Sequence, residues 1–155
     1  MEALTTEKNK ADDEVDIRRQ MDSFIKAFCT KDIKLMMSLF SSDLVSFDII
    51  PPLQYVGSDL YTEVWKETFA LFQDPIDIEI RDLKIISDKY LAFSHCFLRL
   101  NATMKNGNKI DYWERLTCCF KKIDDKWLIV HEHVSLPADL KNGKAVMNLK
   151  PGIKK

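Results

Sequence analysis

Between positions 76 and 136 the sequence consists of runs that alternate apolar and polar residues. The dipeptide Asn106-Gly107 between two of them is the strongest short signal for a tight hairpin. Alternation sends successive side chains to opposite faces of a sheet, and a tight turn lays neighbouring runs side by side. A chain so patterned folds here as an antiparallel meander, with strands expected near 76–85, 90–104, 109–122 and 127–136. In the first strand Ile76, Ile78 and Ile80 alternate with Asp77, Glu79 and Arg81, and then Leu83 and Ile85 break the parity. One extra residue near Arg81-Asp82 restores the register, which predicts a β-bulge and a curved sheet.

The first half reads as helices. Ile17, Met21, Phe24, Ile25 and Phe28 share one helical face, predicting a helix from a cap at Asp12 or Asp13 to about Cys29. A shorter helix is expected over 32–40 and a third over 59–72, capped by Ser58 and stopped by Asp74-Pro75. A short strand over 44–50 lies between them and ends at Pro51-Pro52, which cannot continue a ladder. Residues 1–12 are expected to be a flexible tail, 13–140 a single domain and 141–155 a C-terminal extension. Helices followed by a meander predict an α+β fold, with the helices on one face of a curved, mostly antiparallel sheet that encloses a pocket.

Composition removes several function classes. Lys and Arg number 23 against 24 Asp and Glu, so no net field draws the chain to nucleic acid or an anionic membrane. No apolar run approaches the ~18 residues of a spanning helix, and no apolar leader opens the chain. The four glycines, Gly57, Gly107, Gly143 and Gly152, are spaced too widely for a phosphate-binding loop or a nucleophile elbow. Cys29, Cys96, Cys118 and Cys119 form no Cys-x-x-Cys pair and read as reduced thiols of a cytoplasmic protein. His131 and His133 share a strand face, but no third ligand follows from the spacing, so neither a metal nor a cofactor is expected.

The hairpins assign the two faces of the sheet. With Asn106-Gly107 as a two-residue loop, Arg99 stands opposite Glu114, Phe97 opposite Leu116 and His95 opposite Cys118. With a three-residue loop at 123–125, Cys118 meets Val130 and Leu116 meets Glu132; a two-residue loop there would swap the last strand's parity. The pocket face then carries Phe93, His95, Phe97, Arg99, Tyr112 and Glu114, followed by Leu116, Cys118, Val130 and Glu132. Arg99 and Glu114 pair within this apolar wall, as buried charges must. Trp113, Arg115, Thr117, Trp127, Ile129, His131 and His133 fall on the outer face. That face is too polar for a core and too aromatic for plain solvent, which predicts a homodimer through it.

Element order, the segment from Ser42-Asp43 to Asp48, Tyr55-Val56-Gly57, and the last strand from Asp125-Lys126-Trp127 through His131-Glu132-His133 to Ser135 carry a resemblance. Over about residues 14–140 the chain resembles the nuclear-transport-factor-2-like superfamily, and within it SnoaL-like and ketosteroid-isomerase-like proteins. The resemblance implies a cone-shaped fold around an apolar pocket, with a dimer on the sheet's outer face. It also implies a small apolar or carbonyl-bearing ligand. In ketosteroid isomerases the general base lies five residues after an Asp that starts the strand, a pattern matched by Asp43 and Asp48. Asp48 is thus the candidate base, with Arg99 and His95 orienting a substrate and Tyr55, Tyr112 or His95 as oxyanion donor. The first helix offers Phe24 and Phe28 where the family has a tyrosine, and the family's acid falls near Cys118. Trp65 and Tyr61 on the third helix are candidates to line the ligand. Two functions stay open: an isomerase or cyclase-type enzyme, and a non-catalytic ligand-binding or association module.

Overall fold

The computed structural model describes residues 2–152, with side chains from Lys10 onward. Helix α1 (Glu2–Thr30) starts well before the expected cap, because no glycine or proline interrupts this helix-favouring stretch. Asp13 therefore sits inside the helix, where its buried carboxylate accepts from Lys122 Nζ at 2.7 Å and from the Trp127 indole N–H at 3.1 Å. The short α2 (Ile33–Met37) is capped by Asp32, which accepts the Leu35 N–H at 2.9 Å. Strand β1 (Phe40–Phe47) begins earlier than its local pattern predicts, since parallel pairing of Phe40 with Ile129 overrides helix propensity there. After β2 (Tyr55–Val56), Gly57 takes φ 88° and is the cap of α3 (Ser58–Leu71), one residue before the expected Ser58.

Four long strands follow: β3 (Phe72–Ser87), β4 (Leu91–Met104), β5 (Lys109–Ile123) and β6 (Lys126–Ser135). They complete a six-stranded sheet of order β2-β1-β6-β5-β4-β3, in which only the β1–β6 pair is parallel. A small hairpin of β7 (Ala138–Asp139) and β8 (Lys144–Ala145) lies beyond it. The bulge expected in β3 is present: the register shifts between Arg81 and Lys84, with Asp82 at φ 55°. The sheet curves around α1 and α3, and the resulting cone is packed by Ile17, Met21 and Phe24 from α1, Phe69 from α3, and Leu116 and Phe120 from β5.

The turns correct the facial assignment. Thr103 pairs with Lys109, and Met104 and Asn108 close a three-residue loop, Lys105-Asn106-Gly107, with Gly107 at φ 89°. One more loop residue than expected moves β4 by one position against β5, and that flips every β4 side chain. Arg99 stands opposite Trp113, not Glu114, and Leu98 opposite Glu114. Phe93 (41% exposed), His95, Phe97 and Arg99 accordingly lie on the outer face, while Ser94, Cys96, Leu98 and Leu100 face inward.

The second turn errs the other way. Ile123 pairs with Lys126 across a two-residue loop whose Asp124 and Asp125 both have positive φ, so Trp127 and Ile129 point inward and are buried. The expected outward position of Trp127 and Ile129 is thereby corrected. A register shift between Cys119 and Phe120 then leaves Val130 as the extra residue of a bulge, off the pocket wall. Beyond it Glu132 and Val134 face the helices and His131 and His133 face out, as expected.

Candidate functional site

Helices α1 and α3 do not close completely on the sheet. A cavity of about 250 Å³ remains between them, walled by Phe24, Phe28, Trp65, Leu98, Leu100 and Leu116. Its polar groups come from the sheet and its edge: Asp48, Glu114, Glu132 and Tyr112, joined by Tyr61 from α3. Asp48 follows the last residue of β1, where the chain turns toward Pro51-Pro52. Tyr55 holds this turn by donating its hydroxyl to the Pro51 carbonyl at 2.8 Å, and does not itself line the cavity.

Each carboxyl sits in a different environment. Asp48 accepts the Ile49 N–H at 2.6 Å; burial raises its pKa, and the N–H groups of Ile49 and Ile50 act against the rise. Glu114 is pushed up to about 8, first by burial and then by the charges of Asp48 and Glu132. Glu132, 1% exposed, rises to about 7 through burial, opposed by hydrogen bonds from Tyr61 and Ser46. The Ser46 hydroxyl donates to Glu132 Oε1 at 2.9 Å, and the Tyr61 hydroxyl donates to the same oxygen. Burial also raises the Tyr112 and Tyr61 phenols, so both stay protonated and can donate. The site thus combines three carboxyls whose pKa values burial raises, Glu114 furthest into the neutral range, with the protonated Tyr112 phenol beside them and the Tyr61 phenol engaged on Glu132.

Of the sequence candidates, Asp48, Tyr61, Trp65, Tyr112, Glu114, Leu116 and Glu132 meet at this cavity. Cys118 faces inward but is buried between Ser94 and Glu132, and burial raises its thiol far from reactivity. His95 and Arg99 lie across the sheet. Arg99 holds Asp111 with two bonds of 2.7 Å and approaches Glu79 at 3.6 Å, bordering a surface groove beside Met147 and Lys150. Ser46 was not anticipated, although its inward parity between Leu44 and Asp48 marks it as a polar residue on a buried face.

The sequence model of the SnoaL-like domain matches residues 17–139. No curated protein matches the chain. Among solved structures, a nuclear-transport-factor-2-like protein of unknown function from Pseudomonas putida KT2440 is 27% identical. It superimposes with a TM-score of 0.83 over 91% of this chain and 98% of its own. A protein of Novosphingobium aromaticivorans, provisionally named an aromatic ring hydroxylase, is 18% identical with a TM-score of 0.74, covering 86% of this chain and 98% of that one. A ketosteroid isomerase-like protein from Erwinia carotovora atroseptica gives 19% identity and a TM-score of 0.67, over 77% and 92% respectively. These last two likenesses are likenesses of fold.

Proposed function

Since this chain belongs to the SnoaL-like domain family, we propose that its cavity binds a small, largely apolar carbonyl compound and that Asp48 moves a proton on it. The observation that carries this reading is the trio of carboxyls around one apolar cavity, each with its pKa raised by burial and each with a different set of hydrogen bonds and charged neighbours. Asp48, ionised, takes the proton from the carbon next to the carbonyl. The Tyr112 hydroxyl, and the Trp65 indole N–H, which is buried without an acceptor, donate to the developing oxyanion. Glu114, neutral up to about pH 8, returns a proton at a second carbon, as an isomerisation requires. Arg99 and His95 have no part in this step, being on the opposite face of the sheet.

The test is deuterium exchange. Small alkyl and aryl ketones incubated with the protein in D2O are followed by proton NMR, and exchange of α-protons above the buffer rate is expected for ketones that fit. Exchange at the buffer rate across the whole panel overturns the catalytic reading.

A second observation favours assembly. The outer face aligns Ile86, Phe93, Cys119 and His131 in one row, and His95, Thr117, His133 and Phe47 in the next. Phe47 packs edge-on against both His131 and His133, at 4.8 and 5.5 Å, and Ile86, Phe93 and Phe47 remain exposed. A second copy covers this face in the proposed homodimer, with Trp113 and Arg115 beside the two rows. Phe93→Lys is expected to halve the mass seen by sedimentation without changing the far-UV spectrum. A wild-type protein that sediments as a monomer at micromolar concentration rules the dimer out.

A further inference from the structure

The flip that carries Arg99 and His95 outward has an electrostatic result. The cavity wall holds three carboxyl groups and, among the described residues, no lysine, arginine or histidine. Nor, among the described residues, do three His, Cys, Asp or Glu side chains group to hold a metal ion. A cation that complements a wall otherwise made largely of Phe, Trp, Leu and Ile side chains is one carried on an apolar body.

Glu132 is the anchor. It is 1% exposed, on a strand paired on both sides, and its Oε1 is fixed by the Ser46 and Tyr61 hydroxyls, while among the described residues none donates to Oε2. A buried carboxylate with one oxygen fixed and one open is completed by a charged donor, the strongest kind of hydrogen bond. Aromatic rings continue from it. Tyr61 lies 6.0 Å from Trp65, whose ring is 5.8 Å from Phe24 and 5.2 Å from Phe28, an arrangement that accepts an ammonium and the apolar body attached to it. The unpartnered Trp65 N–H, in a side chain only 7% exposed, is a donor for an oxygen on the same molecule.

From this geometry we infer that the cavity takes a small organic amine, bound as its ammonium ion with Glu132 as counter-ion, and that it rejects carboxylates. The inference rests on the reading of the cavity as a small-molecule site and names the ligand class; it does not depend on the chemistry of Asp48. A cavity of about 150 Å³ holds benzene, so about 250 Å³ has room for one ring and a short chain.

The binding depends on pH in a set direction. The groups facing Glu132 are Ser46 and Asp48 from the β1 end, Tyr61 from α3, and Cys118 and Glu114 from β5; none is cationic. Without a ligand Glu132 titrates at about 7. An ammonium binds its ionised form, so amine affinity rises as pH increases through that value.

Three probes of similar shape, 2-phenylethylamine, 2-phenylethanol and phenylacetate, decide the matter by calorimetric titration. At about pH 8 the amine is expected to bind about tenfold or more tightly than the alcohol, and phenylacetate not measurably. Between about pH 8 and pH 6 amine affinity falls about tenfold, following ionised Glu132, while alcohol affinity stays level. Glu132→Gln keeps an acceptor for Ser46 and Tyr61 and is expected to erase the gap between amine and alcohol. Equal binding of amine and alcohol, or binding of phenylacetate, overturns the amine class and leaves the small-molecule site standing. If none of the three binds, the amine inference falls, and the ketone panel decides the reading of the cavity as a carbonyl-compound site. Should Glu132→Gln not fold, a pH-independent amine affinity in the wild-type protein overturns the inference by itself.

Discussion

Exchange of α-protons is expected to drop about 10²–10⁴-fold in Asp48→Asn, the usual contribution of a positioned general base. The asparagine oxygen still accepts the Ile49 N–H, so the turn after β1 keeps its shape and the loss is chemical. The pH profile gives an independent reading. The base must be ionised, so the rate climbs with pH through the raised pKa of Asp48. Isomerisation to a second carbon also needs the acid protonated, so that rate, unlike α-exchange, declines above about 8, where Glu114 loses its proton. Glu114→Gln should lower the maximum and remove the alkaline decline. An Asp48→Asn variant as fast as wild type would exclude Asp48 as the base, whatever the fate of the other carboxyls.

The largest stability effect is expected at Trp127. Its side chain is 2% exposed, and its indole N–H donates to Asp13, which also holds Lys122, 5.4 Å from the indole ring. Trp127→Ala removes a large buried ring and one of two donors to a buried carboxylate, a loss of about 3–5 kcal/mol. Against a total of about 5–15 kcal/mol for a domain, that moves the urea midpoint down by roughly 2 M, read by far-UV circular dichroism. Trp113→Ala, on the outer face under the Arg81 guanidinium at 5.7 Å, should shift the monomer's midpoint far less. The contrast separates the two faces: with Trp127 pointing outward, as the turn lengths in the sequence suggest, the two variants would behave alike.

Much of the fold was legible because strong periodicities agree with one another. The α1 stripe, the bulge in β3 and the inward set on β5 all follow from patterns that only one face satisfies. Strand β4 was not legible, because both of its faces are apolar: Phe93 and Phe97 on one, Cys96, Leu98 and Leu100 on the other. Only the length of the following turn separates them, and Asn-Gly suits a two-residue loop as well as a three-residue loop that ends on a left-handed glycine. Aromatic size misled as well, since Phe93 and Phe97 have the bulk of core residues and yet lie outside. In β6 two errors cancel. The shorter turn inverts Trp127 and Ile129, and the bulge at Val130 inverts the chain again, so Glu132 reaches the cavity as expected. Asp48 was found through its spacing from Asp43 in the family resemblance. The all-acid character of the wall was hidden by the same misplaced register that put Arg99 inside.

The bulge at Val130 divides β6 into two halves with separate obligations. The half with Trp127 and Ile129 is committed to the core, and a change there disturbs the whole domain. The half with Glu132 and Val134 turns those side chains to the cavity and His131 and His133 to the outer face, and the unpaired residue between the halves absorbs any mismatch in twist. Variation in ligand chemistry can accumulate beyond that joint, one side chain at a time, while the packing behind it stays fixed.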